Sequence, residues 1–567
     1  MSEISKGLAN GLTNYGDPEF ARYLRRSFAK SMGYTNESLD KPIVGICYTE
    51  SSFNNCHRHF PEMLEAVKRG VLVSGALPMP FPMISLGEVF LSPTSMVYRN
   101  LMAMAVEEMI RAQPMDAVVL MGGCDKTVPA LLMGAVSAGK PAVMLVAGPM
   151  MTGRYKGERL GACTDCRRFW AQYRAGSVSQ KEIGQIEGNL AVTSGTCAVM
   201  GTASSMAVIA ETLGVMLPNT ASIPAVHADR LRASEETGTV AAKMAIQGGP
   251  KLDHLITEES VENALRVLLS VSGSTNAIIH LTAIAGRAGV EVDLKRFNEL
   301  SDETLVLVDL KPVGTGYMED FHAAGGLDGV LRALAPQLNL QTINLTGQSL
   351  EHRLQEDSSR QADQSVIRTL QDPVDSQGGL IALHGTLAPG GAILKRAAAT
   401  PALLEHEGRA VVFSSLEDLA ARIDSPDLDV EAEDILVLQN AGPRSPSGMP
   451  EAGYLPIPKK LAKAGVKDMV RISDARMSGT AFGTIVLHVT PEADLGGPLA
   501  LVQNGDRIRL SASAKTIDLL VSAEELEHRR STLLPSSTPP ARGYRKLYHD
   551  TILPAPKGCD FDFLVPN

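Results

Sequence analysis

The run Val118-Val119-Leu120-Met121-Gly122-Gly123-Cys124-Asp125-Lys126 limits the possible folds more than any other stretch of the chain. Four apolar residues of strand type lead into two glycines, which break the strand and let the backbone turn sharply. Beyond the turn, Ala130 to Val136 has the pattern of a helix and Pro141 to Val146 that of the next strand, so the segment is a β-α-β unit. Open parallel sheets bind their ligands at the carboxyl ends of strands, and Cys124, Asp125 and Lys126 stand at such an end. Thiolate suits iron or zinc, and carboxylate suits magnesium. One turn offering both points to two different inorganic centres side by side.

A chain of 567 residues is too long for a single core, and two or more domains are expected. The net charge of −10, with no Lys/Arg-rich run, argues against a nucleic-acid partner. No apolar stretch approaches the ~20 residues of a membrane helix, and Met1 to Lys6 lacks the apolar core of a signal peptide. No membrane is expected. Seven cysteines in so long a chain are not a disulfide framework; a reducing cytoplasm is the expected compartment, with thiols free to act as ligands.

In chain order, residues 1–40 have a helical lead-in with Phe20, Tyr23, Leu24 and Phe28 at helical spacing. Pro42 to Tyr48 is a strand that runs into the polar turn Ser51 to His59, and a helix follows from Glu62 to Arg69. Residues 71–100, rich in Pro and Gly, are expected to be an ordered loop, with Glu88 just after Gly87. Met102 to Ile110 is helical. Ala198 to Ala210 is a helix of small residues, able to bring its terminus close to a cofactor. From about 225 to 345 helix and strand patterns alternate, as in Ala277 to His280 and Thr304 to Val308. Residues 350–378 turn polar, and the domain boundary falls there, dividing the chain into 1–372 and 373–567. Beyond it come shorter strands, Ala410 to Phe413, Ile435 to Leu438, Ile485 to Val489 and Ile508 to Leu510, with Asn504-Gly505-Asp506 as a hairpin turn. The expected fold class is α/β: an N-terminal α/β/α domain with a parallel sheet, followed by a mainly β, barrel-like domain.

Several residue sets carry chemistry, each with a plainer reading. Cys56, Cys124 and Cys197 lie in or beside turns containing Gly or Asn; three thiolates could hold an iron–sulfur cluster with one iron open, or be three buried cysteines. Cys163 and Cys166 form a CxxC, but no second CxxC or His pair completes a zinc site, and no ligand role is expected. Asp125, Glu88 and Glu451 could bind a hard cation or simply be solvated. Lys126 could be an ordinary ion-pair partner. Desolvated, it could instead react with carbon dioxide to give a carbamate, an oxygen ligand for Mg²⁺. Ser473 to Gly483 is a polar, glycine-containing turn. Ser478 within it has no Gly-x-Ser-x-Gly context, and could act as a base only if nearby cations lowered its pKa. Gly134 to Lys140 imitates a phosphate loop, but Pro141 stands where Ser or Thr is required and the order runs from helix to strand.

At these residues the chain resembles the dihydroxy-acid and 6-phosphogluconate dehydratases. The resemblance spans nearly the whole length and rests on separate blocks: Asn54 to His57, Gly122 to Lys126, Gly195 to Cys197, Leu383 to Pro389, Met449 to Glu451 and Ser473 to Thr490. It implies a 2Fe–2S cluster on Cys56, Cys124 and Cys197, and Mg²⁺ on Glu88, Asp125, Glu451 and carbamylated Lys126. It implies Ser478 as the base with Thr480 close by, and a homodimer or homotetramer. Within the family the chain is most similar to the sugar-acid branch, the pentonate enzymes. The branched-chain biosynthetic members usually have Gly-Gly-Met-Tyr-Thr-Ala-Asn after the third cysteine and Gly-Arg-Phe-Ser-Gly-Gly-Thr at the serine turn. This chain has Ala198-Val199-Met200-Gly201-Thr202-Ala203-Ser204 and Ala475-Arg476-Met477-Ser478-Gly479-Thr480-Ala481. The implied reaction converts a 2,3-dihydroxy sugar acid, such as L-arabinonate, to its 2-keto-3-deoxy acid, with the cluster acting as an acid and no net electron transfer. Activity on 2,3-dihydroxyisovalerate is the alternative inside the family. An iron–sulfur redox sensor and a thiol or zinc oxidoreductase using Cys163 and Cys166 are the alternatives outside it.

Overall fold

The computed structural model describes residues 6–356, 363–534 and 538–566. Part of the polar stretch expected to hold the boundary, residues 357–362, and the first five residues of the lead-in lie outside the described residues.

The first half is built on four parallel strands, β1 (Ile43–Tyr48), β2 (Leu77–Pro82), β3 (Ala117–Gly122) and β4 (Ala142–Val146), in the spatial order β2-β1-β3-β4. The central strand β3 is buried along its whole length, as expected of a strand covered on both faces, and this explains its unbroken apolar run. The crossover helices are Phe60–Val73, Met96–Ala112 and Thr127–Ala138. The chain leaves β1 to one side for β2 and returns to the other side for β3, so the topological switch lies between β1 and β3.

β2 falls inside the segment expected to be a loop. Its sequence, Leu77-Pro78-Met79-Pro80-Phe81-Pro82, hides a strand because every second residue is proline. The strand is at the sheet edge, and Leu77 and Met83 donate their N–H groups to β1 and its flank. The prolines occupy the alternate positions, where no ladder donor is needed. A second difference concerns residues 225–345, which are predominantly helical: Ala228–Gln247, Glu258–Ser270, Thr275–Arg287 and Leu294–Glu303 are the long elements. Ala277 to His280 lies inside one of these helices, and residues 306 and 308 make only isolated bridges, to Asp375 and Ile367. In the lead-in, helix Pro18–Ser31 buries Ala21 and Ala29 and leaves Phe20, Tyr23 and Phe28 exposed.

After a small hairpin, β5 (Gly153–Tyr155) and β6 (Glu158–Leu160), the remaining strands belong to the second half. They are β7 (Ile381–Leu383), β8 (Gly391–Leu394), β9 (Glu405–Phe413), β10 (Ile435–Leu438), β11 (Arg471–Ser473), β12 (Ile485–Thr490), β13 (Arg507–Ser511) and β14 (Thr516–Leu519). Their order is β14-β13-β9-β10-β11-β12-β8-β7, and β9 to β12 run parallel. His384, just past β7, exchanges backbone hydrogen bonds with Lys515 and Ile517, so the two edges approach closure and the sheet is barrel-like. Residues alternate between two cores, as strands of period two require: Val412, Ile435 and Val437 pack inside, while Val411, Phe413, Leu436 and Leu438 pack against an outer layer. Asn504 to Asp506 leads into β13. The hairpin itself is β13–β14, closed through Ala512 to Lys515.

The chain end returns to the first half. Arg99 donates to the carbonyls of Gly558 and Cys559, and Arg287 pairs with Asp560 with both side chains buried. Among the described residues no helix is long and apolar enough to cross a membrane.

Candidate active site

Adjacent parallel strands deliver the first half's site residues from their carboxyl ends. Cys56 lies in the single turn Asn55–His57 beyond β1, Glu88 in the loop beyond β2, and Cys124, Asp125 and Lys126 immediately beyond β3. Cys197 follows a segment that continues the β4 side: Thr196 and Gly148 are backbone partners, as are Met150 and Thr196. The second half contributes Glu451 from the connection between β10 and β11, and Ser478 and Thr480 from that between β11 and β12.

His57 holds the β3 turn. Its Nε2 accepts hydrogen bonds from the backbone N–H groups of Gly123 and Cys124, both at 3.0 Å, and its Nδ1 donates to the carbonyl of Thr49 at 2.7 Å. An Nε2 that accepts twice carries no proton, so the ring is the neutral Nδ1–H tautomer. Burial pushes its pKa down to about 3, which agrees. Gly123 permits the approach: a Cβ there would lie 2.3 Å from the Cβ of Ala147 and 3.3 Å from the His57 ring.

Three carboxylates converge beside the turn. Glu88, Asp125 and Glu451 each present an oxygen within 4.8 Å of the others. Two buried cations thread them. Lys126 Nζ is 2.5 Å from Asp125, 3.5 Å from Glu88 and 3.8 Å from Glu451. The Arg476 guanidinium bridges Glu451 and Glu88, each at 2.9 Å, and donates to Thr94 at 2.7 Å. Burial opposes ionisation of Glu88, but Arg476, Lys126 and the hydroxyls of Ser95 and Thr94 together hold its carboxyl well below the usual range. Burial and the neighbouring charge of Glu88 push Glu451 up.

The thiols form two neighbouring pairs. Cys124 is pushed up by its hydrogen bond to Cys56 and by burial; Cys197 by its hydrogen bond to Cys163 and by burial. The charges of Cys56 and Asp125 push Cys197 up as well. Cys163, expected to have no ligand role, has its Sγ 3.4 Å from that of Cys197. Cys47 and Cys559 are buried elsewhere.

Ser478 Oγ and Thr480 Oγ1 are 2.8 Å apart. Their turn rests on two helix starts. Asn276 donates to the Met477 carbonyl, and a Cβ on Gly479 would fall 2.8 Å from the N–H of Thr202 and 2.5 Å from the Cβ of Ser274. The small residues near 201–205 therefore make room for this turn. Thr164 donates to the Thr480 carbonyl at 2.9 Å, and Thr164 directly follows Cys163. The serine turn is thus bracketed, with the carboxylates reached through Arg476 and the thiols through Thr164.

Sequence reasoning missed His57 and Arg476. Both lie within the blocks that carry the resemblance, but neither role has a local signal. Arg476 meets Glu88 across 388 positions.

The candidate site thus joins thiols, carboxylates and a hydroxyl pair. Comparison with known proteins gives the family of the chain. The chain matches the dihydroxy-acid/6-phosphogluconate dehydratase N-terminal model over residues 41–353 and the C-terminal model over residues 365–559. It is 45% identical to the L-arabonate dehydratase of Azospirillum brasilense, over 97% of this chain and 96% of that protein. It is 43% identical to the 6-deoxy-6-sulfo-D-gluconate dehydratase of Pseudomonas putida, over 93% and 91%. With the dihydroxy-acid dehydratase of Pyrococcus abyssi it shares 36%, over 94% and 97%. The chain belongs to the dihydroxy-acid/6-phosphogluconate dehydratase family and is a hydro-lyase.

Proposed function

We propose that this enzyme removes water from a sugar acid, a pentonate such as L-arabinonate, to give the 2-keto-3-deoxy acid. The observation that carries the reading is the bracketing of the Ser478–Thr480 turn between a carboxylate trio and a thiol group. The higher identity to sugar-acid dehydratases than to the dihydroxy-acid dehydratase supports the substrate class.

The residues fit two inorganic groups. Three convergent carboxylates suit a hard divalent cation, and a crevice of thiols suits iron. Glu88, Asp125, Glu451 and carbamylated Lys126 would hold Mg²⁺; Cys56, Cys124 and Cys197 would hold the 2Fe–2S cluster. Turning the Lys126 ammonium into a carbamate changes its charge by two, which one divalent cation offsets, so the buried charge of the site stays unchanged. When bound, the cation supplies a Lewis acid for the substrate carboxylate and 2-hydroxyl, and the cluster one for the departing 3-hydroxyl.

Ser478 Oγ takes the proton from C2, and Thr480 Oγ1, within hydrogen-bond reach, steadies the negative charge this requires. The electron pair of the broken C–H bond forms the C2–C3 double bond as hydroxide leaves C3; that hydroxide and the proton taken from C2 together make the water released, which returns Ser478 to its starting state. The enol then becomes the ketone. Arg476 holds Glu88 and Glu451 at a fixed separation throughout. The enzyme would work in the reducing cytoplasm as a homodimer or homotetramer.

The test is an anaerobic assay of 2-keto acid formation from a panel of aldonic acids and 2,3-dihydroxyisovalerate. Turnover of L-arabinonate or another pentonate ahead of 2,3-dihydroxyisovalerate is expected. Turnover of 2,3-dihydroxyisovalerate alone would move the enzyme to the branched-chain group, and no keto acid from any compound would remove the reading.

A further inference from the structure

Lys395 is a cation that the chemistry above leaves unused. It follows β8 directly, is fully buried, and forms no ion pair among the described residues. Its one hydrogen bond runs from Nζ to the carbonyl oxygen of Gly479, at 3.4 Å. Burying an ammonium without a counter-ion is costly, and burial pushes this amine down to about 7. A lysine kept at such a position, on a barrel lined by aliphatic side chains, calls for a compensating charge.

The acceptor identifies where that charge develops. The Gly479 carbonyl and the Thr480 N–H belong to one peptide unit. The carbonyl receives Lys395, and the N–H is directed at Ser478 Oγ, at 3.5 Å. Drawing electron density toward the carbonyl makes the N–H at the other end a stronger donor, as hydrogen bonds in a chain polarise one another. Both contacts are long, as contacts that tighten only when charge appears often are in a resting enzyme. The backbone around them is fixed. Gly483 donates to the Ala398 carbonyl, and Thr400 donates to the Thr484 hydroxyl, so the segment that carries Lys395 forms the back wall of the serine turn.

We propose that Lys395 is a positioning residue for proton abstraction: its ammonium polarises the Gly479–Thr480 peptide so that the Thr480 N–H stabilises negative charge on Ser478 Oγ. A serine hydroxyl is a poor base unless its conjugate anion is stabilised, and preorganised donors aimed at developing charge are the most effective means. Lys395 supplies this from behind the turn, through the Gly479 carbonyl. The inference rests on Ser478 as the base.

The test uses holoenzyme carrying Lys395→Met, which keeps the aliphatic stem and removes the charge, and Lys395→Gln, which keeps a neutral donor. Each is assayed with L-arabinonate and 2,3-dihydroxyisovalerate, alongside Ser478→Ala and the Ser478→Ala/Lys395→Met double variant. For Lys395→Met the expected result is a kcat lower by ~10–100-fold, below the ~100–1,000-fold of a directly lost donor because Lys395 acts through the peptide. KM should stay within about threefold, iron content and visible spectrum should be unchanged, and exchange of the substrate C2 proton with deuterated solvent should slow in parallel with kcat. Lys395→Gln should fall between, and Lys395→Met should add nothing to Ser478→Ala. Wild-type kcat in Lys395→Met beside an inactive Ser478→Ala overturns this inference and leaves Ser478 in place. Turnover by Ser478→Ala overturns the underlying assignment instead. Loss of iron or of folding in both lysine variants would give Lys395 a purely structural role and also overturn the proposal.

Discussion

Replacing His57 by phenylalanine should release the turn that carries Cys124 and Asp125. The substitution keeps the packing: the His57 ring stacks on Phe60 with centroids 4.3 Å apart and planes 8° from parallel, and a phenyl ring fits the same slot. It removes Nε2, the acceptor for the N–H groups of Gly123 and Cys124. Each buried donor left without a partner costs about 1–3 kcal/mol, so the pair costs about 2–6 kcal/mol. That is a large fraction of the 5–15 kcal/mol that separates a typical folded domain from its unfolded state. The cost falls on one turn, so local opening is expected before global unfolding. Amide exchange followed by mass spectrometry on a peptide spanning residues 118–127 measures it directly, with iron content as the second readout. Protection should drop by two or more orders of magnitude at ~3 kcal/mol and above, and iron should be lost. Unchanged protection of that peptide in His57→Phe would show that the two N–H bonds do not hold the turn. The same ring predicts acid sensitivity. Its folded pKa of about 3 lies below the ordinary ~6.5, so the unfolded chain binds the proton more readily. The stability from neutral His57 is therefore complete above pH ~6.5 and is lost as pH falls from there through about 3.

Cys56→Ser, Cys124→Ser and Cys197→Ser should each yield colourless protein without iron or activity, whereas Cys163→Ser and Cys166→Ser should keep the cluster; iron loss confined to the last two would reverse the ligand assignment. Lys126→Ala should lose Mg²⁺ dependence and turnover together, and a high-resolution map of active enzyme with an unmodified, ion-paired Lys126 would sink the carbamate. Burial pushes Asp474 up to about 7 and Glu492 up to about 8, so both hold protons in the folded chain that the unfolded chain releases near pH ~4. Their contribution to stability is thus present in acid and lost as pH rises from ~4 through about 8. Urea unfolding of wild type should show this decline, and a Glu492→Gln variant with the same decline would show that the pair is not its source.

Of the strands that carry the site, β1, β3 and β10 were legible and β2 and β11 were not; burial on both faces gives β3 its unbroken apolar run, which ends at the Gly122-Gly123 turn. Two strands of the second half were visible for a related reason, since residues 410–413 and 435–438 are apolar on both faces and pack into two separate cores. What escaped was set by long-range pairing. β2 is a strand only because β1 lies beside it, and its prolines argue locally for a loop. Ala277 to His280 has strand composition, but the N-cap Ser274 and the surrounding helices decide its conformation. The small residues around Gly201 were expected to bring the helix terminus close to a cofactor, and the structure places a protein turn against them. They receive Gly479 and Thr480, and nothing local could name that partner.

Both halves use the same device, the carboxyl ends of neighbouring parallel strands: β1, β2 and β3 in the first, β10 and β11 in the second. Bringing two such ends together lets carboxylates from both halves meet beside the Ser478–Thr480 turn of the second, but only if the halves keep a fixed distance. Arg476 supplies one tie, since a buried guanidinium bridging Glu88 and Glu451 loses both pairs at once if the halves separate. Removing one partner of such a buried pair leaves the other charge uncompensated, at a cost of about 3–5 kcal/mol. The returning chain end supplies another, through Arg287–Asp560 and the bonds of Arg99 to Gly558 and Cys559. Arg476 thus ties the two halves beside the candidate site, the chain end packs on the first half behind it, and the fold itself brings the candidate groups together. The catalytic groups must be held in place before the substrate arrives, as electrostatic stabilisation of a carbanion-like transition state requires.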